Sequence, residues 1–253
     1  MLKSFRQGMS APALDHTLSS PADIDNLQLY IDAQEFGNIT FAAGSGDGDP
    51  IASVAGVDDA LGVYDESNGT AFLYEATGAQ GKPAFKKGDD KSIFRDENAG
   101  SPRLYGSDEE NGQATIVYFF TGIFNGTADT GYLFSFMNTV AAIEILSDTS
   151  IQYYADESLS GVPITGTYNL SSLTMVAVTM TSDSSASVKI NDQALQTLDP
   201  HNNWNNNGSV RLGTSAPTFN GVYHELYGAM VYDRALSAAE LDQLYTWGVA
   251  RYG

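Results

Sequence analysis

The groups able to do chemistry in this chain are oxygen ligands, aromatic rings and amides, because it has no Cys and three His, His16, His201 and His224, set far apart. Without thiols there is no disulfide, no Cys-ligated zinc and no iron–sulfur cluster, and the His spacing fits no metal site. Cleavage of a glycosidic bond needs two facing carboxylates, which a strand supplies at alternate positions, about 6–7 Å apart. No strand-like segment offers that pair. Glu144 and Asp148 are four apart, Glu240 and Asp242 fall in a helical pattern where such neighbours point to different sides, and Asp23 and Asp25 precede the first strand. All read as solvated surface charge, so no enzyme activity is expected.

Two groupings point to binding instead. The run His201-Asn202-Asn203-Trp204-Asn205-Asn206-Asn207-Gly208 sets an indole among amides. Sugar rings stack their C–H faces on exposed aromatic side chains while amides take the hydroxyls. Asn202, Asn203, Trp204 and Asn205 are therefore candidate glycan contacts; the same run also reads as plain turn chemistry with Trp204 folded onto the domain edge. In Gly44–Asp49, Asp47 and Asp49 alternate in a Gly-rich loop and offer the hard oxygens that calcium takes. The loop lacks the bidentate Glu and fixed spacing of an EF-hand and also reads as a solvated turn, so no cofactor is expected and Ca2+ is the one ion with candidate ligands.

Charge narrows the partners. Twelve Lys and Arg against 31 Asp and Glu give a formal charge of −19, which leaves no face to neutralise many phosphates. Nucleic acid and anionic membrane surfaces are excluded on that ground. Half of the cations, Lys82, Lys86, Lys87, Lys91, Arg95 and Arg103, fall within 22 residues. Interleaved with Asp89, Asp90, Asp96 and Glu97, they form either a solvated loop or an interface that meets acidic groups on a neighbouring copy or partner. No apolar run approaches the ~20 residues of a membrane helix. The opening MLKSFRQGMSAPALD has no apolar stretch behind its cations, so no standard export signal is expected.

Strands must position these groups. At 253 residues, 42% hydrophobic and 17% charged, the chain can bury one large β core. Leu27–Ile31 alternates apolar and polar residues. Gly37–Asp108 is rich in turn formers, with short strands such as Ala71–Tyr74 and Ser92–Phe94. From Ala114 the pattern predicts strands over Ala114–Phe120, Gly131–Met137, Ala142–Leu146, Ser150–Tyr154, Leu173–Thr181, Ala186–Ile190, Ser209–Leu212 and Val222–Tyr232. Such spacing makes the protein all-β, a two-sheet antiparallel sandwich. The exception is the C-terminus, where Ser237 and Glu240 form a capping box and Leu241, Leu244 and Tyr245 a stripe, predicting a helix over 237–249 with Trp247 in the core. Residues 1–25, with Pro12, Pro21 and no periodicity, read as an extended N-terminal arm held by neighbouring subunits, and 26–253 as the domain.

The segment from Ser209 to Gly253 resembles the end of the laminin G-like, concanavalin A-like jelly-roll superfamily. Its signature is the strand end Arg211-Leu212-Gly213, the step Phe219-Asn220-Gly221, a long strand to Tyr232-Asp233-Arg234-Ala235-Leu236-Ser237, and a capped helix ending in Tyr252-Gly253. Thr174–Thr181, Ser182–Ser185, Ala186–Ile190 and Asn191-Asp192-Gln193 are similar to the family's hairpin, with Asp192 where Gly is more usual. Asp25–Ala33 resembles the opening element of such domains in bacteriophage structural proteins, with Tyr30 where Trp is more usual. The resemblance implies a jelly roll. It further implies a non-enzymatic virion structural protein, decorating or cementing a capsid or serving as a head or tail fibre accessory, assembled in the host cytoplasm. Its partners would be copies of itself and other virion proteins. The alternative is a carbohydrate-binding or adhesion module that recognises host surface glycans. A fold of this kind hosts both, so the site decides.

Overall fold

The computed structural model describes residues 18–58, 60–67, 70–88, 92, 94–96, 113–123, 131–136, 141–154, 161–182, 185–198, 210–213 and 221–253. Among them the chain forms two antiparallel sheets. The first runs β15 (Gln196–Leu198), β14 (Ser185–Ile190), β13 (Thr174–Ser182), β8 (Ala114–Gly122), β17 (His224–Tyr232), β6 (Ala84–Lys86) and β5 (Leu73–Glu75), with β1 (Leu27–Asp32) also paired to β17. The second runs β12 (Val162–Pro163), β11 (Ser150–Tyr154), β10 (Ala141–Ser147), β9 (Gly131–Phe136), β16 (Val210–Leu212), β7 (Phe94–Asp96), β4 (Val63–Asp65), β3 (Ile51–Val54) and β2 (Ile39–Phe41). The all-β sandwich expected from strand spacing is the observed architecture. The turn-rich stretch after Gly37 supplies β2 to β7, each of three or four residues.

Burial explains why the central strands read as unbroken apolar runs. All nine residues of β8 and all nine of β17 are buried. On β8, Ile116, Tyr118 and Phe120 enter the core between the sheets, while Val117 and Phe119 face the opposite way into a second cluster. That second cluster lies under the helix α1 (Ala238–Tyr252), which supplies Leu241, Leu244, Trp247 and Tyr252. A strand covered on both faces needs no polar alternation. By contrast β11 alternates half-buried and buried residues, as a strand with one wet face should.

Helix α1 begins as predicted: the Ser237 side chain accepts from the Glu240 amide, and Glu240 reaches back to the Ser237 amide. Its buried stripe is as expected at Leu241, Leu244 and Trp247 and departs from expectation elsewhere: Tyr245 sits at the margin of the cluster, whereas Gly248 and Tyr252 are buried, and Val249 is exposed. The large rings set the helix rotation, because Trp247 and Tyr252 both pack against Phe119, and burying an aromatic side chain is worth roughly 1.5–3 kcal/mol. The helix also runs three residues beyond the predicted end. The last eight residues of the segment read as an arm, 18–25, pack on the sandwich: Pro21–Asp23 forms a 3-10 turn capped by Ser20, Ile24 is buried, and the Tyr232 hydroxyl donates to the Pro21 carbonyl at 3.0 Å. Residues 1–17 lie outside the described residues.

Candidate functional site

With α1 covering the outer face of the first sheet, the outer face of the second sheet carries the polar groups. Residues paired across neighbouring strands share a face, so register places side chains together. Tyr64 on β4 pairs with Arg95 on β7, Arg95 with Arg211 on β16, and Arg211 with Ser135 on β9; Ala142 on β10 continues the row to Tyr154 on β11. The alternate residues Val63, Phe94, Leu212, Phe134, Ile143 and Tyr153 all point into the core. A shorter row beside it joins Tyr132, Glu144 and Gln152. Five strand spacings separate Tyr64 from Tyr154, about 24 Å across the sheet.

These rows are held by their own bonds. Glu66 accepts from Arg95 Nη1 at 2.7 Å and from Arg211 Nε at 3.2 Å, so one carboxylate fixes two guanidinium groups. Gln152 Nε2 donates to Glu144 and, at 2.7 Å, to the Tyr154 hydroxyl. The Tyr132 and Tyr154 rings meet edge to face, centroids 5.9 Å apart. Burial, together with the bonded Glu144 carboxylate, pushes the Tyr154 hydroxyl up to about 12, so it keeps its proton at neutral pH. The result is three half-buried tyrosines set among amide, carboxylate and guanidinium groups. That composition suits a ligand with alternating apolar and hydroxyl-bearing faces.

The residues singled out from the sequence are scattered. Asn202, Asn203, Trp204 and Asn205, with Lys91 and Arg103, lie outside the described residues. Lys82 is half-buried. Lys86 pairs with Glu75 at 3.1 Å on the first sheet, whereas Arg95 belongs to the second. Lys87 is no surface contact at all: it is 2% exposed. The four described cations are thus divided between two sheets and the interior. Asp49 accepts from the Ser45 and Gly46 amides at 2.7 and 2.9 Å, and Asp47 from the Ala76 amide at 2.7 Å, so both carboxylates tie down backbone. Among the described residues no group of three or more His, Asp or Glu is placed to hold a metal ion.

Lys87 belongs to a sealed polar cluster. Its Nζ donates to the Ser92 and Gly213 carbonyls at 3.0 and 2.9 Å. Beside it, fully buried His224 has Nδ1 at 2.8 Å from the Val222 carbonyl and Nε2 at 2.6 Å from the Tyr118 hydroxyl. The carbonyl requires Nδ1–H, and in the neutral ring Nε2 then accepts from the Tyr118 hydroxyl. Burial and the charge of Lys87 push the imidazole down to about 3. A side chain at 221 is excluded, since its Cβ would stand 1.9 Å from the Gly213 carbonyl and 2.5 Å from Lys87 Nζ. The Gly213 and Gly221 steps of the C-terminal signature therefore meet beside Lys87, which bonds the Gly213 carbonyl and leaves no room for a side chain at 221. Lys87, His224 and Tyr118 are all buried, so this trio is part of the packed interior.

The tyrosine face was not singled out from the sequence, though a signal was there. Ser150–Tyr154 reads Ser-Ile-Gln-Tyr-Tyr, which puts Gln152 and Tyr154 on the wet side of an alternating strand, and Val63-Tyr64-Asp65 repeats the pattern.

No family model and no curated protein matches the chain. Solved structures do. Trypanosoma rangeli sialidase in complex with sialic acid is similar over 94% of this chain and 36% of that one, with 12% identity and a TM-score of 0.59. The receptor binding domain of the botulinum neurotoxin C/D mosaic serotype is similar over 90% and 52%, with 10% identity and a TM-score of 0.58. Botulinum neurotoxin type C, whose cell entry depends upon interaction with two ganglioside molecules, matches over the same shares at 13% identity and 0.56. At these identities the likeness is one of fold. The chain spans about a third of the sialidase chain and about half of the toxin chains.

Proposed function

We propose that this chain is a non-enzymatic carbohydrate-binding module that lays a saccharide across the outer face of the second sheet. One observation carries the reading: register brings Tyr64, Tyr132 and Tyr154 to one face, interleaved with Arg95, Arg211, Glu144 and Gln152. Aromatic rings take the apolar faces of sugars, and the side chains between them take hydroxyls. The row is about 24 Å long, and with Ser135 and Ala142 buried at its middle the ring contacts lie toward its ends, Tyr64 at one and Tyr132 with Tyr154 at the other, a separation that suits an oligosaccharide better than one ring. Solved neighbours of this fold bind sialic acid and gangliosides, which supports a glycan as the ligand class. Catalysis is not part of the reading, because Glu66 is committed to two guanidinium groups and Glu144 to Gln152. The 201–208 run supplies further contacts in this proposal.

Screening the full chain against an array of glycans, followed by calorimetric titration, tests it. Tyr132→Ala and Tyr154→Ala should each weaken binding about fivefold while the chain stays folded, with a small drop in unfolding midpoint from the lost edge-to-face contact. Absence of binding to every glycan, or full affinity in both variants, would overturn the assignment. Placement of the module on a bacteriophage particle is a narrower proposal, supported by the resemblance of residues 209–253. Mass spectrometry of purified particles that lack this chain would remove it.

A further inference from the structure

A cleft of about 410 Å³ opens on the other side of the molecule, between α1, the end of β1 and the segments around Ser20 and Asp58. Tyr30 and Trp247 line it, their rings edge to face at 6.1 Å, together with Val57. Ser20, Glu35, Asp58 and Arg251 supply its polar groups. Behind them lies the fully buried Asp32, which accepts from the Tyr30 hydroxyl at 3.2 Å and from Arg251 Nε at 3.0 Å; Arg251 Nη2 meets Glu35 at 2.7 Å. One guanidinium group therefore stands against three carboxylates, and two of them already take its charge. The third, Asp58, is exposed and is met among the described residues by the Ser20 hydroxyl.

We propose that this cleft binds a primary alkylammonium group. Three N–H donors match the acceptors offered by Asp58, Glu35 and Ser20, and the carbon stem rests on Val57 and the edge of Trp247 that lines the cleft. An anion would meet a negative cleft on a chain of net charge −19. A neutral ligand would leave Asp58 without a cation. The site lies across the sandwich from the tyrosine face and does not rest on that reading.

Two sources share this chemistry, a free diamine and the amino group of a sugar. Calorimetric titration of the full chain with 1,5-diaminopentane, glucosamine and N-acetylglucosamine distinguishes them, since acetylation removes the charge and keeps the ring. Saturable binding of either amine, absent for the acetylated sugar and weakened by added salt, is expected. Asp58→Asn should weaken amine binding about fivefold, the loss of one solvent-exposed ion pair. Asn also tolerates the left-handed backbone at this position, where φ is 55°, so the variant keeps its fold. If neither amine binds, if N-acetylglucosamine binds as tightly as glucosamine, or if Asp58→Asn binds amines undiminished, the assignment falls.

Discussion

Acid should weaken this fold through one residue more than any other. His224 is fully buried, and burial with the nearby Lys87 charge lowers its imidazole from 6.5 to about 3. The unfolded chain therefore takes up a proton through pH 6.5 that the folded chain refuses until about pH 3. Stability from this group is complete above 6.5 and is lost as pH falls toward 3. At about pH 4 the two values imply a loss on the order of 3 kcal/mol, a large fraction of the stability of a typical domain. Carboxylates titrate in the same range, so the comparison must be internal. In His224→Gln the amide can still donate to the Val222 carbonyl and accept from Tyr118, yet it has no proton to gain. Urea unfolding of both proteins at about pH 7 and about pH 4 should show the wild-type chain losing ~3 kcal/mol more than the variant. Equal losses, within about 0.5 kcal/mol, would refute the claim that a neutral buried imidazole is built into the fold.

Three further perturbations probe the same architecture. Lys87→Met keeps the apolar stem but strands two buried carbonyls, at ~1–3 kcal/mol each, and should lower the urea midpoint at unchanged slope. Arg251→Met leaves Asp32 buried without its cation, so a loss of roughly 3–5 kcal/mol is expected at neutral pH; burial already raises Asp32, and the deficit should shrink on acidification as that carboxyl protonates. Ser237→Ala removes the helix cap and should cost ~1 kcal/mol, read as a small drop in thermal midpoint.

Period and register were unequally visible in the sequence. Strand existence followed from local alternation and β-branched runs, and the capped helix from Ser237 and Glu240. Which strands became neighbours did not, because Arg95 and Arg211 are 116 positions apart in the chain and share a face only through long-range pairing. Lys87 drops out of the basic cluster for a related reason. A linear count placed Lys86 and Lys87 together, but a strand sends adjacent side chains to opposite faces, and Lys87 continues the inward side on which Phe85 enters the core. That separation was legible, since Phe85 marks the inward side two residues earlier. The helix rotation was legible in part: Trp247 already reads as core, and the bulk of Tyr252 outweighs the spacing of Tyr245.

The helix also decides where a ligand of extended shape can lie. Strands β8, β13 and β17 form the middle of the first sheet, and their outer residues Phe119, Met175 and Met230 are apolar. Left bare, that face would be a large exposed apolar surface. Covered by α1, it yields a third layer and becomes unavailable to a flat ligand except at the helix margin, where the Trp247 cleft opens. The second sheet has no helix packed on it among the described residues, and its outward positions include Tyr, Arg, Glu and Gln in place of Phe and Met, with the buried Ser135 and Ala142 between them. Where such a face meets water, its side chains must be polar or amphipathic. Tyrosine meets that condition while keeping a ring for contact. The same substitution pattern that lets this sheet face water is therefore the one that equips it to hold a sugar, and stability alone would be served as well by Thr and Lys at those positions.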